Sequence, residues 1–274
     1  MTALPEYTSL IVKREGSRLY VTINRPEFKN AINHEVVEDL SNLTRLIAAD
    51  RTLRTLILRG SQGTFCAGGD IRGFKESFSG APPAAGEADP IAANNRRFGD
   101  FLMLFNALPQ TVVGIIEGAA FGGGLGLVCV TDIAICMADT KFALSETGLG
   151  VVPAQIAPFV VQRVGITQAR RLALSGVRFD GRHAKEIGLV HFLASNAEEL
   201  DATLRTVLND IGRCAPGANA ATKQVLLDSL VGRLPQVLDS ASEAFAAQLR
   251  GAEGQEGVKA FLEKRPAPWV EKVE

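Results

Sequence analysis

Two stretches place glycine where a backbone would have to meet a ligand: GTFCAGGDIRGF at residues 63–74 and AAFGGGLGLVCVTDIAI at residues 119–135. In the first, Ala67-Gly68-Gly69-Asp70 follows a β-branched run ending near Gly60, and Asp70 is placed to cap a following helix. In the second, Gly122-Gly123-Gly124 follows a run ending near Gly118 and leads into the apolar residues 125–130. Each reads as strand, turn and helix N-terminus. At such a junction glycine admits a ligand close to the backbone, and the free N–H groups favour negative charge. Two such turns after two strands of one sheet could aim one N–H each at a single oxygen. That is an oxyanion hole, in which losing one donor typically costs about 10²–10³ in rate.

Other chemistries lack their residues. There is no GxxxxGK[ST] loop, and GGGLGL does not sit in a βαβ unit with a ribose-binding acid at the right distance. No G-x-S-x-G elbow, Ser/His/Asp set or H-E-x-x-H helix is present, and His34, His183 and His191 are scattered, which reads as structural or surface. Cys66, Cys129, Cys136 and Cys214 have no metal-ligand spacing, and three of them lie in apolar or Gly-rich surroundings that suit free buried thiols. No metal site is expected.

A formal net charge of −1 gives no global field for nucleic acid or an anionic membrane. No apolar run reaches the roughly 18 residues that span a bilayer. The opening residues MTALPEYTSL resemble neither a secretory signal nor a transit peptide, so a cytoplasmic location is expected.

The elements that must hold the turns alternate in type. LYVTI (19–23), LRTLILRG (53–60), TVVGIIEG (111–118) and TDIAICM (131–137) are short, β-branched runs that read as strands. Between the first two, Val36, Leu40, Leu43 and Ile47 recur at helical spacing, with Asn33 as cap. Between the second and third, Phe98, Phe101, Leu102, Phe105 and Leu108 do the same, and Pro109 stops the pattern. Strands alternating with helices predict an α/β fold. SGAPPAAGEADP (79–90) is periodic in nothing and reads as a loop, either a surface insertion or a lid beside a site. LVHFLA (189–194) is the last strand expected. Residues 197–212, 217–230, 235–250 and 254–264 then read as four helices, so a core over 1–199 and a helical region over 200–274 are expected.

FCAGGDI followed by EGAAFGGG resembles the enoyl-CoA hydratase/isomerase (crotonase) superfamily. INRPEFKNAIN (23–33) is similar to that family's N-terminal strand-turn-helix, and FLEKRPAPW (261–269) to its C-terminal ending. The resemblance runs the length of the chain. It implies a crotonase-like superhelix of ββα turns, a C-terminal helical subdomain used in homotrimer or dimer-of-trimers packing, and an acyl-CoA thioester as substrate. Coenzyme A is then the substrate's carrier, with no separate cofactor. The resemblance maps the oxyanion hole onto the N–H groups of Gly69 and Gly123, and puts Cys66, Ala67 and Gly68 near the adenine.

The same resemblance locates the acid–base machinery. Hydratases of the family hold the attacking water with two glutamates; the first position here is Gly126 and the second is Glu146, in FALSETGLGVVP. Glu146 has Leu144, Leu149, Val151 and Val152 around it in sequence, an apolar setting that would raise its pKa towards that of a working general base. Gly126 is expected to leave space for a branched acyl group.

GLGVVPAQIAPFVVQRVG (148–165), GGGLGL and CAPGANAATKQVL (214–226) are similar to the bacterial methylglutaconyl- and isohexenylglutaconyl-CoA hydratases. That likeness implies a branched acyl group with a distal carboxylate, for which Arg72, Lys75, Arg96 and Arg97 are candidate partners. A Δ3,Δ2-enoyl-CoA isomerase, a general enoyl-CoA hydratase, a decarboxylase and a catalytically silent CoA-binding scaffold are the alternatives.

Overall fold

The computed structural model describes residues 5–70, 72, 87 and 89–273. The chain opens with an antiparallel hairpin, Leu10–Glu15 (β1) against Arg18–Ile23 (β2). Asn33 accepts a hydrogen bond from Val36 N at 3.0 Å and so starts helix α1 (His34–Ala48). Strand β3 (Thr55–Gly60) follows. Asp89 accepts from Ile91 N at 2.8 Å, with Pro90 at the first helical position of α2 (Pro90–Asn106). Next come β4 (Thr111–Ile116), β5 (Ala119–Phe121), α3 (Gly123–Cys129), β6 (Ile133–Met137), β7 (Lys141–Ala143) and α4 (Ala157–Ser175). Then β8 (Phe179–Asp180), α5 (Gly181–Glu186) and β9 (Phe192–Ala194) complete the strand-bearing part. Helices α6 (Ala197–Gly212), α7 (Pro216–Asp228), α8 (Leu234–Arg250) and α9 (Ala252–Leu262) close the chain.

A large sheet has the order β1-β2-β3-β4-β6-β9, parallel throughout except for the first hairpin. A small sheet, β5-β7-β8, runs beside it and is extended by the parallel bridges Cys66↔Ala120 and Ile32↔Gly69. Strands β4 and β6 of the large sheet thus each turn a corner into a strand of the small one. The chain after β4 then enters helix α3. This is a superhelix of ββα turns on an α/β architecture, as expected.

The large sheet is covered on both faces. Leu56, Leu58 and Val112 pack with Leu40, Leu43, Phe101 and Phe105 of α1 and α2. Ile57, Val113, Ile115 and Ile135 point the other way, against Leu200, Val207 and Ile211 of α6. Burial on both faces is why these strands read as unbroken apolar runs rather than alternating ones.

Two expectations shift in detail. Helix α2 begins at Pro90, inside the stretch read as a loop, because Asp89 caps it; residues 79–86 and 88 of that stretch lie outside the described residues. Strands β1, β5, β7 and β8 have no counterpart in the sequence reading. No helix among the described residues is long and apolar enough to cross a membrane.

The C-terminal segment is tied to the core by one buried cation. The Arg54 guanidinium, at the start of β3, donates to the carbonyls of Ile211, Gly212, Cys214 and Trp269. The Ile211 and Gly212 carbonyls also accept from Cys214 N and Glu271 N, whereas those of Cys214 and Trp269 have no other donor among the described residues. Arg54→Met is therefore expected to lower unfolding free energy by about 3 kcal/mol or more, measured by urea denaturation. An unchanged midpoint would show that the carbonyls find other donors.

Candidate active site

Both glycine turns lie at the edge of the small sheet, and backbone pairing dictates which N–H groups are left over. Ile32 N donates to Gly68 O at 2.7 Å, and Asp70 N donates to Ile32 O at 2.8 Å. In this parallel bridge Gly69 turns its own N–H away from Ile32, and that N–H has no partner among the described residues. In the second turn Gly122 N donates to Ala143 O at 2.9 Å, while Gly126 N returns to Gly122 O at 3.0 Å. Gly123, the first residue of α3, has no acceptor among the described residues for its N–H, as helix geometry requires.

The two turns are neighbours. Phe121 N donates to Cys66 O at 3.1 Å, a methyl group on Gly68 would stand 3.0 Å from Phe121 O, and one on Gly123 would stand 3.2 Å from Ile32 Cδ1. Ile32 therefore touches both.

The Cys66–Gly68 segment divides in its accessibility. Cys66 is fully buried, its N–H and C=O are taken by Ala119 and Phe121, and burial pushes its thiol up to about 12. Gly68 C=O is held by Ile32. Ala67 C=O has no partner among the described residues and is the acceptor this segment offers.

Glu146 follows β7 by three residues and opens a short 3₁₀ turn, Glu146–Leu149. Thr147 Oγ1 donates to Ala173 O at 2.8 Å, which anchors that turn to α4. The carboxylate lies against the second glycine turn: a methyl group on Gly122 would stand 2.8 Å from Glu146 Oε1. Gly122 also has φ +47°, a backbone conformation that glycine adopts without strain. Glu146 is half-buried and its Oε2 has no hydrogen-bond partner, so desolvation raises its pKa above the ordinary glutamate value.

The direction of that shift is as expected, but its source differs from the sequence reading. Leu149 is 64%, Val151 44% and Val152 72% exposed and Leu144 is buried, while the Gly122 turn packs against the carboxylate.

The space expected beside Gly126 is occupied. A methyl group there would stand 2.3 Å from Ile156 Cγ2 and 2.9 Å from Ile156 Cβ. Gly126 is thus a close contact between α3 and the start of α4, and Ile156, itself buried, stands where a side chain at residue 126 would go. The sequence reading missed Ile156 because nothing local links it to a glycine 30 positions earlier.

The expected cations are also accounted for. Arg72 donates to Asp70 at 2.7 and 3.0 Å and stacks 3.6 Å above the Phe28 ring, with Arg25 on the same carboxylate at 3.2 Å. The hydrogen bonds from Arg72, then those from Arg25, hold the Asp70 carboxyl well below its ordinary range. Arg97 meets His34 Nε2 at 2.9 Å, Arg96 pairs with Asp100 at 2.7 Å, and Lys75 lies outside the described residues. His191 accepts from Ala134 N, and burial pushes its pKa down to about 4, which fits a structural role. A cavity of about 500 Å³, lined by Arg51, Arg54, Gln110, Lys223 and Glu253 among others, sits at the opposite end of the parallel strands and holds none of these glycine-turn residues.

A ββα superhelix that brings two glycine turns and one half-buried carboxylate to the edge of its small sheet is a crotonase-type fold. The chain belongs to the enoyl-CoA hydratase/isomerase family, which it matches over residues 13–272, and is an enzyme of the enoyl-CoA hydratase type. It is similar to the structure of Pseudomonas aeruginosa AtuE, with 46% identity and a TM-score of 0.91 over 96% of this chain and 100% of that one. The enoyl-CoA hydratase ACTT6 of Alternaria alternata is 30% identical over 91% of this chain and 80% of its own length. The human mitochondrial methylglutaconyl-CoA hydratase is 29% identical over 89% of this chain and 71% of its own.

The geometry predicts the outcome of three measurements. Glu146→Gln is expected to lower turnover by about 10²–10⁴ yet raise the melting temperature. A carboxyl whose folded pKa exceeds its unfolded one binds its proton more tightly when folded, so the charged form at neutral pH costs stability. In the wild type, kcat/KM is expected to fall as pH drops through this raised pKa, and a limb at the ordinary glutamate value would contradict it. Separately, Gly126→Ala is expected to cost about 1–3 kcal/mol by overpacking, and Ile156→Ala in the same chain to recover part of that loss in a double-mutant cycle.

Proposed function

We propose that the enzyme adds water across the 2,3 double bond of a branched enoyl-CoA, a 3-substituted glutaconyl-CoA of the methyl or isohexenyl type. The observation that carries the hydratase reading is the seat of Glu146. One half-buried carboxylate with an unpartnered oxygen rests on Gly122, next to the free N–H of Gly123. The substrate class draws its support from the likeness to the human methylglutaconyl-CoA hydratase and from the motifs shared with that group.

In this reading the thioester oxygen lies between the N–H groups of Gly69 and Gly123. As water adds to C3, the charge moving onto that oxygen is stabilised as an enolate. Glu146 takes the proton of the attacking water and then delivers a proton to C2, so one carboxylate serves both steps and ends as it began. The raised pKa suits both roles, since the group must accept and release within one turnover. With Ile156 filling the space at Gly126, the branch at C3 lies against Ile32 and Phe98, which border Gly123. Coenzyme A enters as the carrier, with Ala67 C=O available to its adenine.

The exposed Leu226, Val231, Leu234, Phe245 and Phe261 of the C-terminal region form apolar surface that supports homotrimer packing. The single carboxylate also suits a second reading, a Δ3,Δ2-enoyl-CoA isomerase that moves one proton without consuming water.

Turnover in H₂¹⁸O separates the two. Label in the product of 3-methylglutaconyl-CoA or its isohexenyl analogue, with little from crotonyl-CoA, is the expected result. Double-bond migration in a 3-enoyl-CoA with no label incorporated would establish the isomerase instead.

A further inference from the structure

Along α2, Leu102, Gly99, Phe98 and Asn95 recur at helical spacing, with Leu102 and Gly99 buried, Phe98 half-buried and Asn95 exposed. Leu102 is fully buried in the core. One turn earlier Phe98 reaches the oxyanion turn, where a methyl group on Gly123 would stand 3.4 Å from its Cζ. Gly99 leaves room for a side chain from the segment that precedes α4: a methyl group there would stand 2.0 Å from Gln155 Oε1. Gln155 crosses Gly99 and donates through Nε2 to Asn95 Oδ1 at 2.9 Å. Gly99, over which Gln155 lies, directly follows Phe98, and Asn95 precedes Phe98 by three residues, a rise of about 4.5 Å along the helix axis. That rise is comparable to a chain of four carbon–carbon bonds, the distance from a thioester carbonyl to the far carboxyl carbon of a glutaconyl group.

The amide pair has donors to spare. Asn95 Nδ2 carries two N–H groups, and Gln155 keeps one after bonding Asn95. Arg96 Nη1 lies 2.9 Å from the same point above Gly99, and its charge is paired with Asp100 at 2.7 Å, which leaves the amides as the donors. Of the cations first considered, Arg72 and Arg97 are turned to Asp70 and His34.

We propose that Asn95 and Gln155 are the specificity-determining residues that receive a carboxylate at the far end of the acyl group, by hydrogen bonds from their amide N–H groups. This rests on the glutaconyl reading above and names the part of the site that would select for it. Gln155 is adjacent to Ile156, so one segment supplies both the apolar wall at Gly126 and the polar group beyond it.

The test compares kcat/KM for 3-methylglutaconyl-CoA and 3-methylcrotonyl-CoA, which share the branch and differ in the distal carboxylate. The wild type is expected to favour the first. Gln155→Met and Asn95→Leu are each expected to lower the ratio of the two about tenfold or more. Gln155→Glu keeps the shape but sets a carboxylate against a carboxylate, and is expected to lower it further. Melting temperatures are recorded alongside, because a merely structural clasp would reduce both substrates alike and destabilise the fold. An unchanged ratio, or equal losses on both thioesters, overturns the amide pair while leaving the hydratase standing. A wild type that does not prefer the carboxylated thioester overturns the substrate reading, and this proposal with it.

Discussion

The arrangement depends on one constraint, that backbone N–H groups shut away from water must find an acceptor. In the small sheet almost every such group does so in a ladder or bridge. The pairing of Ile32 with Gly68 and Asp70 is what turns Gly69 outward. The bond from Gly122 to Ala143 does the equivalent for Gly123, because it fixes where α3 begins and so which N–H has no carbonyl four residues behind it. The free donors of Gly69 and Gly123, with those of Gly124 and Leu125 in the first turn of α3, are what this pairing leaves without an acceptor among the described residues. A site built this way needs no side-chain donors, which accounts for glycines at positions where an active site would more often show polar residues.

The second constraint is steric. Three side chains from one segment, Glu146, Gln155 and Ile156, each rest on a glycine of α2 or of the turn that opens α3. Glu146 lies on Gly122, Gln155 on Gly99 and Ile156 on Gly126. Close approach serves different ends at the three places. At Gly122 it brings a carboxylate beside the free N–H of Gly123 and buries one of its oxygens. At Gly126 it seals the interior with a hydrocarbon group, and at Gly99 it lays an amide across a helix face. Burial of Glu146 costs stability, and the large core between the sheet, α1 and α2 offsets that cost.

How far the sequence discloses this differs by element. Strands covered on both faces, such as β3 and β4, are continuous β-branched runs and are legible as they stand. So is α1, where Asn33 and the spacing of Val36, Leu40, Leu43 and Ile47 agree. Strands β5, β7 and β8 are two or three residues long and exist because partners distant in sequence align with them, so no local pattern marks them. The site divides in the same way. The glycine turns and Glu146 stand out through motif and spacing. The space at Gly126 is not open but filled by Ile156, because a glycine discloses that room exists and not which side chain takes it. Of the apolar residues flanking Glu146, Leu144 is buried while Leu149, Val151 and Val152 are exposed, because adjacency along a turn does not place side chains on the same side.

Paired contacts of this kind bear on how such a site can change. Ile156 and Gly126 fit only each other's present sizes, so a carboxylate introduced at residue 126 would meet a branched hydrocarbon within van der Waals distance and distort α3. A second acid can enter only if residue 156 becomes small at the same time. The same holds at Gly99 and Gln155, and at Gly122, where any side chain would both strain the backbone and displace the carboxylate. The segment from Glu146 to Ile156 and the glycines that receive it therefore form one unit with respect to substitution. Within that unit the proposed base, Glu146, and the residues proposed to choose the acyl group are tied to the same short stretch of chain. Altering either one means repacking both sides of the contact together.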